Sequence, residues 1–186
     1  MASSNVKPIS FSKLSKELLS LFNTIHQTLI PKRIKKMETY DIWEETSRVG
    51  EKNKKNYRLI QPVLDEAERI LKGNNISNYD ISKYVMEFHQ RNCGFEKKKY
   101  QWSGWHRDDR GARDFNCYSL LFYLRKDRGI KGGDLEYKDN NTIKKHIVYS
   151  GDVLQFRGDL LHRPEATSGF GCRDIIVVFV KRTKLI

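Results

Sequence analysis

The stretch WHRDD brings a histidine and two aspartates together, at His106, Asp108 and Asp109. In an extended strand, residues two apart point to the same side. His106 and Asp108 would then converge on one point, while Asp109 would point away. Imidazole and carboxylate groups both bind divalent metals, but two side chains do not complete a protein site. The stretch therefore predicts either a charged surface turn or part of a metal site that takes its third ligand from elsewhere.

Four other histidines are candidates for that third ligand: His26, His89, His146 and His162. His26 lies beside an apolar helical stripe, His89 lies in a strand before the motif, and His146 lies on the lysine-bearing, solvent-facing side of its strand. His162 differs because it lies between a strand and a glycine-rich loop, in LHRPEATSGFG. Arg173 follows it and opens an apolar strand. A buried arginine is costly unless it binds an anion or pairs with an acid, so this segment is the strongest candidate.

The net charge and the cysteine content limit which partners and which cellular compartment are expected. The formal net charge of +12 and the pI of about 9.6 favour nucleic acid, acidic proteins or anionic small molecules as partners, although a solvated basic exterior is the simpler explanation of the charge. The three cysteines are widely spaced, which argues against a disulfide framework and a structural zinc site. Reduced thiols and an N-terminus without an apolar core predict an intracellular protein without a signal peptide. No apolar run is long enough to span a bilayer, so no membrane partner is expected.

The first part of the chain has helical periodicity. Apolar residues recur at gaps of three and four from Phe11 to Leu29, which predicts one amphipathic helix ended by Pro31. A polar segment, predicted to form loops, separates it from a second helix over QPVLDEAERILKGNN, with Pro62 in its first turn and Gly73 at its end. The stretch SNYDISKY predicts a third short helix. Residues 1–80 are therefore predicted to be a helical extension that packs on the core.

From about Tyr84 the apolar residues change to a period of two, which is typical of strands. The run FNCYSLLFYL is apolar on both faces and predicts a central strand of a covered sheet. The further predicted strands are YVMEFHQ, GGDLEYK, TIKKHIVY, GDVLQF and RDIIVVFVKR. Short strands separated by turns, with no helix between them, indicate a sandwich, barrel or jelly roll. We expect residues 81–186 to form this core, and the whole chain to form a single domain.

Several of these pieces together resemble one family. In chain order they are WHRDD, YSLLFYLRKDRGIKGGDLEY, GDVLQF, LHRPEATSG and Arg173. Across about residues 84–182 they are similar to the iron(II)- and 2-oxoglutarate-dependent dioxygenases, most closely the prolyl-hydroxylase-like branch. The resemblance implies a mainly β fold, a double-stranded β-helix of the jelly-roll or cupin-like kind, buttressed by the N-terminal helices.

The resemblance also implies a set of functional residues. His106, Asp108 and His162 match the iron ligands, and two imidazoles with one carboxylate suit non-haem Fe(II) and leave positions open. The resemblance implies that 2-oxoglutarate and O₂ fill those positions, with ascorbate as an optional further cofactor. Arg173 matches the basic residue that holds the distal carboxylate of 2-oxoglutarate, Tyr123 matches a tyrosine that shares this carboxylate, and Ser119, on the same strand face, is expected to assist.

The substrate is less constrained than the reaction. The implied reaction converts 2-oxoglutarate to succinate and CO₂ while it hydroxylates a substrate C–H bond, and the branch favours a protein or peptide side chain, including proline. A nucleic-acid demethylase of the same superfamily, a small-molecule hydroxylase and a non-catalytic jelly-roll binding module are the alternatives. The nucleic-acid alternative depends on the basic charge and on aromatic and basic residues around the iron motif: Trp102, Trp105, Arg107, Arg110 and Arg113.

Overall fold

Antiparallel strands make up most of the structure. The computed structural model of the protein describes residues 8–29, 39–43, 54–93, 104–109, 116–140 and 142–183. In chain order the elements are β1 (Ile9–Lys13), α1 (Lys16–Leu29), β2 (Thr39–Trp43), α2 (Lys54–Gly73), β3 (Tyr79–Cys93), β4 (Cys117–Lys126), β5 (Ile130–Lys131), β6 (Leu135–Asp139), β7 (Thr142–His146), β8 (Asp152–Arg157), β9 (His162–Pro164), β10 (Ser168–Gly169) and β11 (Gly171–Arg182). The prediction of a mainly β protein with helices in its N-terminal part is confirmed.

A six-stranded antiparallel sheet forms the larger layer, in the order β1-β8-β4-β11-β3-β2. The predicted central strand is confirmed, since β4 lies between β8 and β11 and buries both of its faces. Its even-numbered residues, such as Leu120 and Phe122, face one apolar cluster, and its odd-numbered residues, such as Leu121 and Tyr123, face another. This alternation is the reason that the run is apolar throughout.

The two helices cover one face of this large sheet. Phe22 and Ile25 of α1 and the predicted apolar face of α2 are buried in the same cluster as the even-numbered residues of β4. Phe22 meets Phe122 edge to face, with 5.5 Å between the ring centroids. The helices therefore buttress the sheet by burying apolar area against it, which is the main source of their stability.

Two smaller sheets lie across the other face of the large sheet. One has three strands in the order β7-β6-β9, and the other pairs β10 with β5. Leu135 of β6 packs with Leu154 and Phe156 of β8 in the second apolar cluster, so this cluster joins the large and small sheets. His106 extends the three-stranded sheet beyond β9 through an isolated antiparallel bridge to His162. The fold thereby brings two distant segments of the chain to one end of the second cluster.

The prediction of one helix from Phe11 to Leu29 is wrong at its start. Phe11 lies in β1, where it pairs with Leu154 at the edge of the large sheet, and half of its side chain is exposed. The helix begins only after Ser15, whose hydroxyl accepts a hydrogen bond from the Leu18 N–H at 3.2 Å. A serine in this position caps a helix N-terminus, and this local signal ends the strand and begins the helix.

Three further predictions for the N-terminal part need correction. The stretch predicted as a third helix begins β3, because backbone pairing with β11 outweighs its local helical pattern. Pro62 lies inside α2, not in its first turn, since the helix begins at Lys54. The segment predicted to form loops contains β2, while Pro31 lies outside the described residues. The first 80 residues therefore contribute strands to the large sheet as well as the helices that cover it.

Candidate metal centre

Three side chains converge at one end of the second apolar cluster. One potential ligand atom from each of His106, Asp108 and His162 lies within 4.8 Å of the other two. Nε2 of His106 is 3.7 Å from Oδ1 of Asp108, and Nε2 of His162 is 3.6 Å from Oδ2 of the same carboxylate. Asp109 is not part of this group, as the alternation of the strand predicted. The structure thus brings together the three residues that the sequence singled out as ligands.

Backbone hydrogen bonds place the two histidines side by side. The His106 N–H donates to the His162 carbonyl at 2.9 Å, and the His162 N–H donates to the His106 carbonyl at 3.0 Å. The ring centroids of the two imidazoles are consequently 4.4 Å apart. Two residues that exchange both backbone hydrogen bonds are direct neighbours in an antiparallel pair.

The second nitrogen of each imidazole is held by a backbone carbonyl. Nδ1 of His106 donates to the Gly104 carbonyl at 3.2 Å, and Nδ1 of His162 donates to the Leu160 carbonyl at 2.9 Å. A carbonyl only accepts hydrogen bonds, so these contacts assign the proton to Nδ1. Nε2 is then the nitrogen of each ring that would bind a metal, with Nδ1 held by a carbonyl as is typical of metal-binding histidines.

Asp108 is held by its backbone as well as by its side chain. Its N–H donates to the Gly158 carbonyl at 2.8 Å, and its side chain is almost completely buried. Gly158 comes close to β4, because a Cβ at this position would lie 2.4 Å from the Cys117 sulfur. Only a residue without a side chain allows this approach. Gly158 was not among the residues predicted from the sequence, since a glycine after QFR indicates a turn but not the contact that the turn makes.

The donor set fits a ferrous ion. Two neutral imidazoles and one carboxylate face a common point, and His162 and Asp108 are both about 4% exposed. A carboxylate this deeply buried is costly without a nearby positive charge, which a divalent cation supplies. Two histidines and one carboxylate are the ligands of the facial triad in non-haem iron oxygenases. His106, Asp108 and His162 are therefore the residues that would hold Fe(II).

A buried arginine, Arg173, lies beside β4. The guanidinium carbon of Arg173 is 5.3 Å from the ring centroid of Tyr123, and these side chains are 4% and 0% exposed. Every second residue of a strand lies on the same face, so Ser119, Leu121 and Tyr123 share one face of β4. Tyr123 lies four residues from Ser119, which is roughly 13 Å along the strand. Ser119, which contacts Asp108, and the Arg173–Tyr123 pair thus lie at different positions along one face of the large sheet.

Gly133 makes room for Arg173. A Cβ on Gly133 would lie 3.0 Å from Cδ of Arg173 and 2.9 Å from the methyl carbon of Thr167, and its φ of +75° is a conformation that favours glycine. Asp134, the next residue, accepts a hydrogen bond from Lys126 at 2.6 Å and another from the Val148 N–H at 3.2 Å. The double glycine noted in the sequence therefore has a packing reason, whereas the Lys126–Asp134 pair beside it was missed.

Asp174, the acid next to Arg173 in the sequence, lies on the opposite face of β11. It is fully buried on the helix side, and Gln27 of α1 donates a hydrogen bond to it at 3.5 Å. Burial raises the pKa of the Asp174 carboxyl, against the lowering influence of His26. Burial in turn lowers the pKa of the His26 imidazole. This pair belongs to the contact between the helices and the sheet, apart from the metal centre.

Of the aromatic and basic residues that flank the iron motif, the structure describes Trp105 and Arg107. Trp105 contacts the cations of Lys138 and Arg163, which lie 5.3 and 4.7 Å from its ring centroid. The Arg107 side chain donates to the Asp159 carbonyl at 2.9 Å. Trp105 and Arg107 alternate with His106 and Asp108 and so lie on the outer side of this segment. Trp102, Arg110 and Arg113 lie outside the described residues.

Comparisons with solved structures identify the fold. No family model and no curated protein matches the sequence. A 2OG-Fe(II) oxygenase family oxidoreductase from Burkholderia pseudomallei has a TM-score of 0.66 and 14% identity, covering 95% of this chain and 86% of that one. The viral collagen prolyl hydroxylase of Paramecium Bursaria Chlorella virus-1, in its 2OG complex, has a TM-score of 0.59 and 15% identity, covering 98% and 100%. A Trichoplax adhaerens prolyl hydroxylase in complex with a hypoxia inducible factor peptide fragment has a TM-score of 0.56 and 14% identity, covering 96% and 85%.

These likenesses establish the class of fold. The chain has the jelly-roll fold of the 2OG-Fe(II) oxygenases, and the predicted double-stranded β-helix is confirmed. A His–Asp–His triad lies inside this fold. Among the described residues, neither helix is long and apolar enough to cross a membrane.

Proposed function

We propose that the protein is an Fe(II)- and 2-oxoglutarate-dependent dioxygenase that hydroxylates a protein or peptide side chain. One observation supports this proposal: His106, Asp108 and His162 converge inside a jelly roll. The same jelly roll buries Arg173 beside Tyr123. The overall reaction consumes 2-oxoglutarate, O₂ and a substrate C–H bond, and it yields succinate, CO₂ and the corresponding alcohol. One oxygen atom of O₂ enters succinate and the other enters the substrate, so the reaction balances.

The protein residues have separate tasks in this reaction. Iron held by the triad supplies the redox chemistry that couples decarboxylation of 2-oxoglutarate to C–H hydroxylation. Arg173 binds the distal carboxylate of 2-oxoglutarate, because a planar guanidinium matches a carboxylate with two parallel hydrogen bonds. Tyr123 packs beside the guanidinium and orients it. The buried side chains around them exclude bulk water, which strengthens this charge pairing.

A polypeptide substrate is favoured by the structural neighbours. Two of the solved structures with this fold are prolyl hydroxylases, and one of them contains a peptide fragment. We therefore place a protein or peptide side chain, with proline as the first residue to test, in the mouth of the jelly roll. Ascorbate belongs in the assay as the proposed reductant that keeps the iron ferrous.

The nucleic-acid alternative receives no specific support from the described residues. Its case depended on aromatic rings available for base stacking near the iron motif. Trp105 already packs against Lys138 and Arg163 and lies on the outer side of its segment. The net charge of +12 also favours nucleic acid, but a basic surface by itself does not select nucleic acid over acidic protein.

The decisive experiment measures succinate and oxidised product together. The protein is incubated with Fe(II), ascorbate, 2-oxoglutarate and O₂ in the presence of proline-containing peptide pools, with parallel pools that lack proline. We expect peptide-dependent succinate release and a mass increase of one oxygen atom on a peptide. The Asp108→Ala variant serves as the inactive control. Stimulation by single-stranded oligonucleotides alone would contradict the polypeptide proposal, and absence of both metal binding and turnover would contradict the enzymatic one.

A further inference from the structure

Ser119 makes a short contact with the carboxylate of the proposed metal ligand. Its Oγ lies 2.6 Å from Oδ2 of Asp108, eleven positions earlier in the chain. Ser119 is completely buried and Asp108 is 4% exposed. A hydrogen bond of this length between a hydroxyl and a carboxylate is of the strong, charge-assisted kind. Its position in the interior, away from competing water, makes it an effective restraint on the carboxylate.

The direction of this hydrogen bond limits what else Ser119 can do. A metal-binding carboxylate is ionised and only accepts hydrogen bonds, so the Ser119 hydroxyl is the donor. A hydroxyl has a single proton, and here that proton is directed to Asp108. Ser119 therefore has no proton to donate to a carboxylate of 2-oxoglutarate. The expectation from the sequence that Ser119 assists in binding the cosubstrate stays a prediction, and this contact favours a role toward Asp108 instead.

We infer that Ser119 is a positioning residue that holds the Asp108 carboxylate for binding the metal through one oxygen; this inference rests on the proposed function. The Asp108 backbone is held separately by Gly158, so the carboxylate group can still rotate about its own bond. The hydrogen bond from Ser119 restrains this rotation. An oxygen that already accepts a short hydrogen bond is the weaker metal donor. Oδ1 is then the favoured ligand atom, and it lies on the His106 side.

One-oxygen binding matters for the number of open positions. Two imidazole nitrogens and one carboxylate oxygen leave three sites of an octahedron free. A carboxylate that rotates and binds through both oxygens would occupy one of these sites. Ser119 thus acts through Asp108, keeping a position open for cosubstrate or oxygen without contacting either of them.

The test uses Co(II), which binds such sites without supporting turnover and reports their geometry through its visible absorption bands. Anaerobic Co(II) titrations compare the wild type with Ser119→Ala, Ser119→Thr and Ser119→Cys. We expect Ser119→Ala to bind Co(II) about 10- to 100-fold more weakly, as is typical when a hydrogen bond to a metal ligand is lost. Its bands should also differ in position and intensity, because the coordination geometry changes. Ser119→Thr, which retains the hydroxyl, should restore most of the wild-type affinity and spectrum.

Val85→Ala is the matched control. Val85 is buried in the same apolar cluster as the odd-numbered residues of β4, and it lies two strands from Ser119, because both residues pair with Phe179 of β11. Its truncation creates a cavity on this face but leaves the hydrogen bond to Asp108 in place, so wild-type Co(II) affinity and spectrum are expected. Ser119→Cys nearly preserves volume with a weaker donor, and it should resemble Ser119→Ala even if the alanine variant folds poorly.

The possible results separate this inference from the proposed function. Wild-type affinity and spectrum in both Ser119→Ala and Ser119→Cys would overturn the positioning role while leaving the metal centre intact. Equal losses in Ser119→Ala and Val85→Ala would show that packing alone is responsible and would also overturn it. A wild-type protein that does not bind Co(II) would overturn the proposed function, and the inference with it.

Discussion

His106 and His162 exchange two backbone hydrogen bonds, although 56 positions separate them in the chain. This single bridge fixes the spacing of the two imidazoles, and the carbonyls of Gly104 and Leu160 fix the orientation of each ring. Main-chain contacts therefore organise the positions of the two imidazoles. Such preorganisation lowers the cost of assembling the ligands around an ion.

Each of the three proposed ligands should be required for metal binding. We expect His106→Ala, Asp108→Ala and His162→Ala to lose tight Fe(II) binding and 2-oxoglutarate turnover while remaining folded by circular dichroism. His146→Ala is the control, because this histidine lies on β7 and stacks on Phe11 outside the cluster. Retained turnover in two of the three ligand variants would show that the metal is bound elsewhere.

Arg173 should determine the affinity for 2-oxoglutarate. Loss of a charge-assisted hydrogen-bonded pair should weaken the apparent affinity for 2-oxoglutarate about 10- to 100-fold in Arg173→Ala. Arg173→Lys should recover part of this affinity, because it restores the positive charge but not the planar guanidinium. The measurement is the anaerobic absorption band of the iron and 2-oxoglutarate complex as a function of cosubstrate concentration. Arg125→Ala removes a largely exposed arginine paired with Asp127, and it should leave this affinity unchanged. An unchanged cosubstrate dependence in Arg173→Ala would place the carboxylate elsewhere.

Gly158 should tolerate no side chain. In Gly158→Ala the new methyl group would lie 2.4 Å from the Cys117 sulfur and 3.1 Å from its carbonyl oxygen. Overpacking of this kind typically costs about 1–3 kcal/mol of unfolding free energy, and the shift should also weaken metal binding because the Gly158 carbonyl holds the Asp108 N–H. Urea unfolding checks the first effect and Co(II) titration the second. Gly73→Ala, which has open space around the new methyl group, is the control, and equal stability of the two variants would refute the prediction.

The buried Asp174 predicts a pH dependence of stability. Burial raises the pKa of its carboxyl above the usual value of 3.8, so the folded protein keeps this proton to a higher pH than the unfolded chain. The contribution to stability is then fully present below pH 3.8 and declines as the pH rises through the folded-state pKa. Asp174→Asn has no carboxyl to ionise, so it does not lose stability as the pH rises from 3.8 through the folded-state pKa of Asp174. Its unfolding free energy relative to the wild type should therefore increase over this pH range. Urea unfolding over a pH series measures the difference, and a difference between Asp174→Asn and the wild type that stays constant over this range would contradict the prediction.

The response to salt distinguishes the substrate classes. A peptide substrate should show a modest fall in activity with salt, since the basic surface then contributes mainly to steering. Binding of nucleic acid releases counterions, so the logarithm of affinity would fall steeply and linearly with the logarithm of salt concentration. Lys138→Ala, which removes a cation from the outer side of the three-stranded sheet, should leave peptide turnover close to the wild type. A steep salt slope together with a loss of activity in Lys138→Ala would favour the nucleic-acid alternative.

Local patterns in the sequence were sufficient for much of the core. The period of two placed His106 and Asp108 on one side and Asp109 on the other, because side chains alternate in any extended segment. The apolar run of β4 predicted a strand covered on both faces for the same reason. These conclusions depend on residues close together in the chain, so residue types and spacing contain the necessary information.

Only the tertiary structure decided the contacts between distant segments. The pairing of His106 with His162, the hydrogen bond from Ser119 to Asp108 and the close approach of Gly158 to Cys117 all depend on strand register, which no local pattern specifies. The same holds for Phe11 and for the start of β3, where pairing with neighbouring strands outweighed a helical pattern. The sequence alone determined which side chains have the right chemistry, and the packing of the sheets determined which of them meet.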